Sequence, residues 1–340
     1  MHTAADLPVL AVCGFSGSGK TTLLEGVVPR LHARGLSVAI VKHDAHGADV
    51  DRRGADSDRL FRAWADVLLD SPGEKLMRLH AAEGAGLAAA LDALAARYDL
   101  VLVEGHKATP LAKVWLAKTG ESAPPAEAGE VLATLPGGEG RLAAFQSILD
   151  EWLPRAWRAA PVLGCVLIGG KSTRMGRPKH LIAHADGRTW LERTVDVLRG
   201  AADEVVLAGA GEVPGAIGGC TRLPDVPDAE GPLAGLLAAM RWSPRAGVLA
   251  CACDLPDLSP EALAWILDAR APGRWAIQPR LEGAPHVEPL LAYYDFRSRA
   301  LLEELAAGKT YRPGAIAPDP RVHTPTPPLP LVGAWRNVND

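Results

Sequence analysis

Two glycine-rich segments hold the residues best suited to handling phosphates. The first, Gly14-Phe15-Ser16-Gly17-Ser18-Gly19-Lys20-Thr21, is a full GxxxxGKT match. It follows the apolar run Leu7–Cys13 and precedes an amphipathic stretch from Thr21 to Arg34, the strand–loop–helix setting that gives the motif its meaning. Glycines at these positions let backbone N–H groups converge on a phosphate without a Cβ in the way. Lys20 then neutralises the terminal phosphate oxygens, Thr21 ligates Mg²⁺, and the helix start adds partial positive charge. The expected nucleotide contacts are Gly14, Ser16, Gly17, Ser18, Gly19, Lys20, Thr21 and Thr22.

The second segment, Leu167-Ile168-Gly169-Gly170-Lys171-Ser172-Thr173-Arg174-Met175-Gly176 with Pro178-Lys179, also follows an apolar strand but meets a different demand. It suits a nucleoside triphosphate whose α-phosphorus is attacked while pyrophosphate leaves. Gly169 and Gly170 permit close approach of the backbone, and Arg174 and Lys179 clamp the charge that develops on the phosphates. Leu167, Lys171 and Ser172 complete the expected nucleotide contacts.

Each loop needs a carboxylate from a neighbouring strand. Leu100-Val101-Leu102-Val103 runs into Glu104, a metal-side or water-positioning acid, or else a solvated residue at a strand end. Val248–Ala252 leads into Cys253-Asp254, and Asp254 is the expected Mg²⁺ ligand, since a hard cation prefers oxygen donors and substrate phosphates. Asp225 is a second candidate, as nucleotide or metal contact or as a turn-stabilising residue. Gly231-Pro232-Leu233-Ala234-Gly235 reads as a close-approach loop leading into a helix. Cys251 and Cys253 lack the second pair that a zinc site needs and read as core. Lys42-His43-Asp44-Ala45-His46, with Asp49 and Asp51, reads as a polar active-site loop more readily than as a metal site.

These residues must be carried by two sets of alternating elements. Strands are expected at Leu7–Cys13, Ser37–Val41, Val67–Leu69, Leu100–Val103, Val114–Leu116 and Val131–Ala133. Helices are expected after the first loop, interrupted at Pro29, and over Gly86–Arg97. A new series opens at Val162–Ile168 and continues at Val205–Ala208, Val248–Ala252, Trp275–Gln278 and Leu290–Tyr293, ahead of a proline-dense stretch over 313–331. The expected class is α/β, with two doubly wound domains over 1–153 and 162–340. Pro154 and Pro161 bracket 154–161, an expected exposed linker between cores that fold independently.

Composition agrees. The 340 residues are 48% hydrophobic and only 5% aromatic, with a net charge of −4 and no excess of basic residues in either half. That disfavours a nucleic-acid partner held by phosphate neutralisation. An odd set of five cysteines, no apolar leader and no membrane-length apolar run point to a cytoplasmic protein without a membrane partner.

Residues 7–153 resemble the MobB family of P-loop GTP-binding accessory proteins of molybdenum cofactor biosynthesis. The resemblance rests on the P-loop, the Lys42–Asp51 loop, Gly54-x-Asp56-Ser57 and Val103-Glu104-Gly105-His106-Lys107. It implies a P-loop NTPase fold with weak GTPase activity and a supporting role. Residues 162–340 resemble the MobA family of molybdenum cofactor guanylyltransferases, through LxGGxSxRMGxxK, the Asp225 region, GPLAG, Cys-x-Cys-Asp-x-Pro and Asn337-Val338-Asn339. This implies a Rossmann-like nucleotidyltransferase fold that joins GMP from GTP to molybdopterin, with Mg²⁺. It also places Gly231, Gly235, Glu288, Lys309, Asn337 and Asn339 on the pterin side, and suggests molybdenum insertion proteins and molybdoenzyme apoproteins or their chaperones as partners. Gly169-Gly170 favours guanine over the Ala-Gly of the cytidine relatives. Leu207-Ala208-Gly209 lacks the polar base contact often found there. A cytidylyltransferase and a GTP-dependent cofactor carrier are the competing readings.

Overall fold

The computed structural model describes residues 7–42, 50–80, 86–118, 123–168, 179–184, 186–213, 215 and 217–337. His43, Asp44, His46 and Asp49 lie outside the described residues, as do Gly169, Gly170, Lys171, Ser172, Arg174 and Asn339; of Lys179 only the backbone is described.

The first half runs β1 (Val9–Cys13), α1 (Lys20–Ala33), β2 (Val38–Lys42), α2 (Asp56–Arg62), β3 (Val67–Ser71), β4 (Glu74–Arg78), α3 (Leu87–Ala95), β5 (Leu100–Glu104), β6 (Lys113–Leu116), β7 (Ala133–Leu135) and α4 (Arg141–Arg158). The second runs β8 (Val162–Leu167), α5 (Trp190–Arg199), β9 (Glu204–Ala208), β10 (Thr221–Leu223), α6 (Pro232–Trp242), β11 (Gly247–Ala252), α7 (Pro260–Asp268), β12 (Ala276–Ile277), β13 (Leu291–Tyr294), α8 (Arg299–Ala307) and β14 (Val322–His323). One sheet has the order β2-β5-β1-β6-β7 and is parallel throughout. The other has the order β10-β9-β8-β11-β13-β12-β14, with β13 antiparallel to both of its neighbours. Both are covered on two faces, which is why their strands read as unbroken aliphatic runs. Leu163, Cys165 and Leu167 of β8 face one core and Val162 and Val166 the other; Leu10 and Val12 part from Val9, Ala11 and Cys13 in the same way.

Several expectations are corrected. Helix α1 passes through Pro29 without interruption, the proline lying on its exposed side while Leu24, Val27 and Leu31 anchor the buried one. β3 pairs with β4, a charged antiparallel strand that its residues did not announce, across a turn at Pro72-Gly73.

Segment 154–161 is not an exposed linker. Helix α4 continues through Pro154 to Arg158, and Trp157 and Ala160 are buried. The expectation of two independent cores fails with it. Trp275 and Leu301 of the second half pack into the core that holds Leu10 and Trp157, while Phe296 packs into the one that holds Val9 and Val101. Asp99, 1% exposed, is the centre of the junction. Its Oδ2 accepts from the backbone N (2.7 Å) and Oγ (2.8 Å) of Ser37, its Oδ1 from Trp275 Nε1 at 2.7 Å, and its carbonyl from Trp157 Nε1 at 3.0 Å. Beside it, buried Arg297 donates from Nε to the Tyr98 carbonyl at 3.0 Å, pairs with Asp295 at 2.7 Å, and lies over the Trp157 ring. Arg270 donates to the carbonyls of Trp157 and Ala160, both at 2.9 Å, and Arg245 pairs with Asp92. Buried charges need hydrogen-bond partners, and Asp99, Arg270 and Arg297 draw theirs from both halves, although Arg297 Nη2 has none among the described residues.

Candidate active site and P-loop

The P-loop leaves β1 at its C-terminal end. Gly14 has φ +150°, and a Cβ there would lie 2.5 Å from Ser18 Oγ and 2.6 Å from the Leu116 carbonyl oxygen. Both are closer than a carbon can approach. Gly14→Ala is therefore expected to weaken nucleotide binding at the P-loop at least about tenfold, measured by titration with a fluorescent GTP analogue. Lys20 Nζ donates to the Gly14 and Phe15 carbonyls at 2.9 and 3.0 Å, so it caps the loop from inside. Thr21 Oγ1 donates to both carboxylate oxygens of Glu104, at 3.0 and 3.2 Å. That contact places the two expected metal-side residues together, because β5 runs parallel beside β1 with Val12 opposite Glu104. Ser16, Gly17, Gly19 and Thr22 are exposed on the loop and first turn, whereas Ser18 is buried with its Oγ unpartnered among the described residues.

Arg141, which the sequence reading missed, braces this edge. It donates to the carbonyls of Ser18 (2.5 Å), Ala117 (2.6 Å) and Pro136 (2.6 Å), tying the P-loop to the segments that follow β6 and β7. Desolvation lowers its pKa. The flanking Pro136-Gly137-Gly138-Glu139-Gly140 run was the available signal.

In the second half the candidate residues gather at the C-terminal edge of the sheet, the usual place for ligands in open α/β folds. Leu167 ends β8, Asp225 follows β10, and the half-buried Asp254 follows β11. Gly235 in the first turn of α6 fits between Leu167 and Asp225. A Cβ there would meet Leu167 Cδ2 at 2.6 Å and would sit 3.5 Å from Asp225 Oδ1. Asp225 also helps push the buried Cys165 thiol up to about 12, although burial is the larger cause. Gly231, at φ +59°, opens α6 at the same edge.

The antiparallel β13 brings in Glu288. Ala252 N donates to the Leu290 carbonyl at 2.7 Å, so Glu288 stands three residues before a strand start that abuts the Asp254 turn. Burial pushes the Glu288 carboxyl above its ordinary range. Helix α8 starts at the opposite edge and returns toward this one, ending at Ala307, two residues before exposed Lys309, which is left-handed at φ +57°. The chain then packs Gly314 against Val287 and Pro289. Trp335 Nε1 donates to the Leu291 carbonyl at 3.1 Å and Arg336 pairs with Asp257 at 2.5 Å, which leaves exposed Asn337 at that edge as well.

Among the described residues no three His, Cys, Asp or Glu side chains are grouped as a protein-only metal cage. The donors present are hard oxygens, Asp254 here and Thr21 with Glu104 at the P-loop, which fits Mg²⁺ held jointly with nucleotide phosphates.

Family models match in two blocks, "Molybdopterin guanine dinucleotide synthesis protein B" over residues 9–135 and "MobA-like NTP transferase domain" over 164–315. A molybdopterin-guanine dinucleotide biosynthesis adapter protein of Haemophilus influenzae is 38% identical over 116 residues, 33% of this chain and 64% of that protein. The Escherichia coli protein of the same name is 36% identical over 133 residues, 36% of this chain and 71% of that protein. A probable molybdenum cofactor guanylyltransferase of Pelotomaculum thermopropionicum is 33% identical over 147 residues, 43% of this chain and 70% of that protein. The chain belongs to the MobB family in its first half and to the MobA family in its second. The MobB block ends at the last strand of the first sheet, and the MobA block begins inside β8. No helix among the described residues is long and apolar enough to cross a membrane.

Proposed function

We propose that the chain is a molybdenum cofactor guanylyltransferase with a built-in GTP-binding accessory half. A terminal phosphate oxygen of molybdopterin attacks the α-phosphorus of GTP. The bond between the α-phosphorus and its bridging oxygen breaks, pyrophosphate leaves, and molybdopterin guanine dinucleotide remains. The observation that carries this reading is the convergence of Leu167, Asp225, Gly235 and Asp254 at one sheet edge, in a domain of the MobA family.

Gly169, Gly170, Lys171 and Ser172 line the nucleotide with Leu167 and Asp225, and Arg174 and Lys179 balance charge on the phosphates. Asp254 holds Mg²⁺, which supplies charge neutralisation of the triphosphate when bound. Gly231, Glu288, Lys309, Asn337 and Asn339 face the pterin, whereas buried Gly235, packed against Leu167 and beside Asp225, serves the site by close packing and not by pterin contact. Half-buried Glu288, whose pKa burial raises, offers its carboxyl to hydrogen-bond the pterin. In the accessory half, Thr21 and Glu104 hold a second Mg²⁺ and support slow GTP hydrolysis. Molybdenum insertion proteins and molybdoenzyme apoproteins are the corresponding protein partners, in the cytoplasm.

The test is mass spectrometry of the product formed from molybdopterin with each nucleoside triphosphate. The dinucleotide is expected with GTP and not with CTP; a cytidine product, or cofactor binding without turnover, overturns the reading. Calorimetric titration is expected to find two GTP sites per chain, of which Lys20→Ala removes one. A single site in the wild type contradicts the assignment of two nucleotide centres.

A further inference from the structure

The two halves meet at one particular end of each sheet. In the first half, Ser37 immediately precedes β2, and Tyr98 and Asp99 immediately precede β5. In the second, Ala160 stands just before β8, Arg245 just before β11, and Trp275 just before β12. Asp295, Phe296 and Arg297 follow β13, which is antiparallel, with Tyr294 opposite Val248 near the start of β11. These residues make the bridging contacts, and each lies at the N-terminal edge of the parallel strands.

The chemistry lies at the other edge in both halves. The P-loop follows β1 and Glu104 ends β5; the second glycine-rich loop follows β8, and Asp254 follows β11. The halves are therefore docked base to base. Strand β5 has five residues and β8 has six. At about 3.3 Å per residue the two strands alone span on the order of 35 Å. The junction is also built to stay closed. Opening it would strand the buried Asp99 carboxylate and Arg297 guanidinium and expose Trp157, Trp275 and Phe296.

We propose that this junction holds the P-loop and the transfer site of one chain facing away from each other, so that a P-loop nucleotide takes no part in transfer within its own chain and acts only between molecules. A hinge that folds one site onto the other would have to break the Asp99 and Arg297 contacts together, at the cost of several buried polar groups left unpaired.

Two measurements test this. The first does not depend on the proposed activity. Spin labels at exposed Glu139→Cys, beside the P-loop, and exposed Glu230→Cys, beside Gly231, are placed in a chain carrying Cys220→Ser and Cys253→Ser. With GTP and Mg²⁺ present, one narrow distance distribution centred beyond about 30 Å is expected; a population centred below that overturns the proposal. The second rests on the guanylyltransferase reading and is run only once the wild type has been seen to make product. In a mixture of the Lys20→Ala chain and the Asp254→Asn chain, transfer is expected to reach the rate of an equal concentration of wild-type transfer sites, the Asp254→Asn chain supplying an intact P-loop in trans. A tenfold loss that is independent of chain concentration and is not restored in that mixture overturns it. Absence of product in the wild type counts against the guanylyltransferase reading alone, and the label distances still decide the arrangement.

Discussion

Replacing Asp254 by Asn is expected to lower the rate of guanylyl transfer at least about a hundredfold, while leaving the fold and the P-loop GTP site unchanged. The magnitude is that of losing a preorganised charge where negative charge develops on phosphate oxygens. The position is set by β11, whose six residues are all buried between β8 and β13. A carboxylate placed by so rigid an element stands at a fixed point relative to the end of β8. Asn keeps the shape and removes the charge, so the comparison isolates electrostatics from packing. Steady-state pyrophosphate release measures the effect, with circular dichroism as the control. Near-normal turnover in a folded Asp254→Asn chain would remove Asp254 from the mechanism.

Cutting the chain in two at the junction is expected to be as damaging as disabling the chemistry. A fragment beginning at Ala159 is expected to aggregate or to unfold well below the temperature of the whole protein. It would present to water Trp275 (3% exposed in the whole chain), Phe296 (5%) and Arg297 (2%), and it would lose the carbonyl and carboxylate partners supplied by Tyr98, Asp99 and Trp157. In the full chain, Trp275→Ala removes both a buried indole and the hydrogen bond to Asp99. A loss of roughly 3–5 kcal/mol is expected from truncating a buried aromatic side chain. Calorimetry of the intact chain should show one cooperative transition, since two cores that share side chains unfold together. Two separate transitions, or a fragment from Ala159 as stable as the parent, would show the junction to be incidental.

The sequence by itself determined the chemistry-bearing loops and the strands that carry them. Gly14–Thr21 and Leu167–Lys179 are local motifs whose meaning comes from what precedes and follows them within a few residues. The strands of the parallel sheets are buried on both faces, so β1, β5, β8 and β11 stand out as aliphatic runs. The acids at their ends, Glu104 and Asp254, could be named for the same reason: a polar residue that closes an apolar run marks a strand terminus.

Weaker signals were lost where polar residues form strands. β4, Glu-Lys-Leu-Met-Arg, and β10, Thr-Arg-Leu, carry charge because one belongs to an isolated two-stranded ribbon and the other is an edge strand. The reversal of β13 was equally illegible. Strand direction depends on where the chain re-enters the sheet, and this reversal is what puts Glu288 at the edge that bears Asp254.

Only the tertiary structure decided how the halves are joined. Pro154 and Pro161 looked like the brackets of an exposed tether, because proline is locally a breaker. Yet the helix passes through Pro154, with Leu149, Leu153 and Trp157 buried along one side. Asp99, Arg270, Trp275 and Arg297 are scattered over some two hundred residues and share no motif. Each would be read alone as a solvated charge or an ordinary aromatic. They become one junction because the N-terminal edges of two sheets present unpaired carbonyls, a carboxylate and ring faces to each other, an arrangement made by packing between distant segments and not by any local spacing.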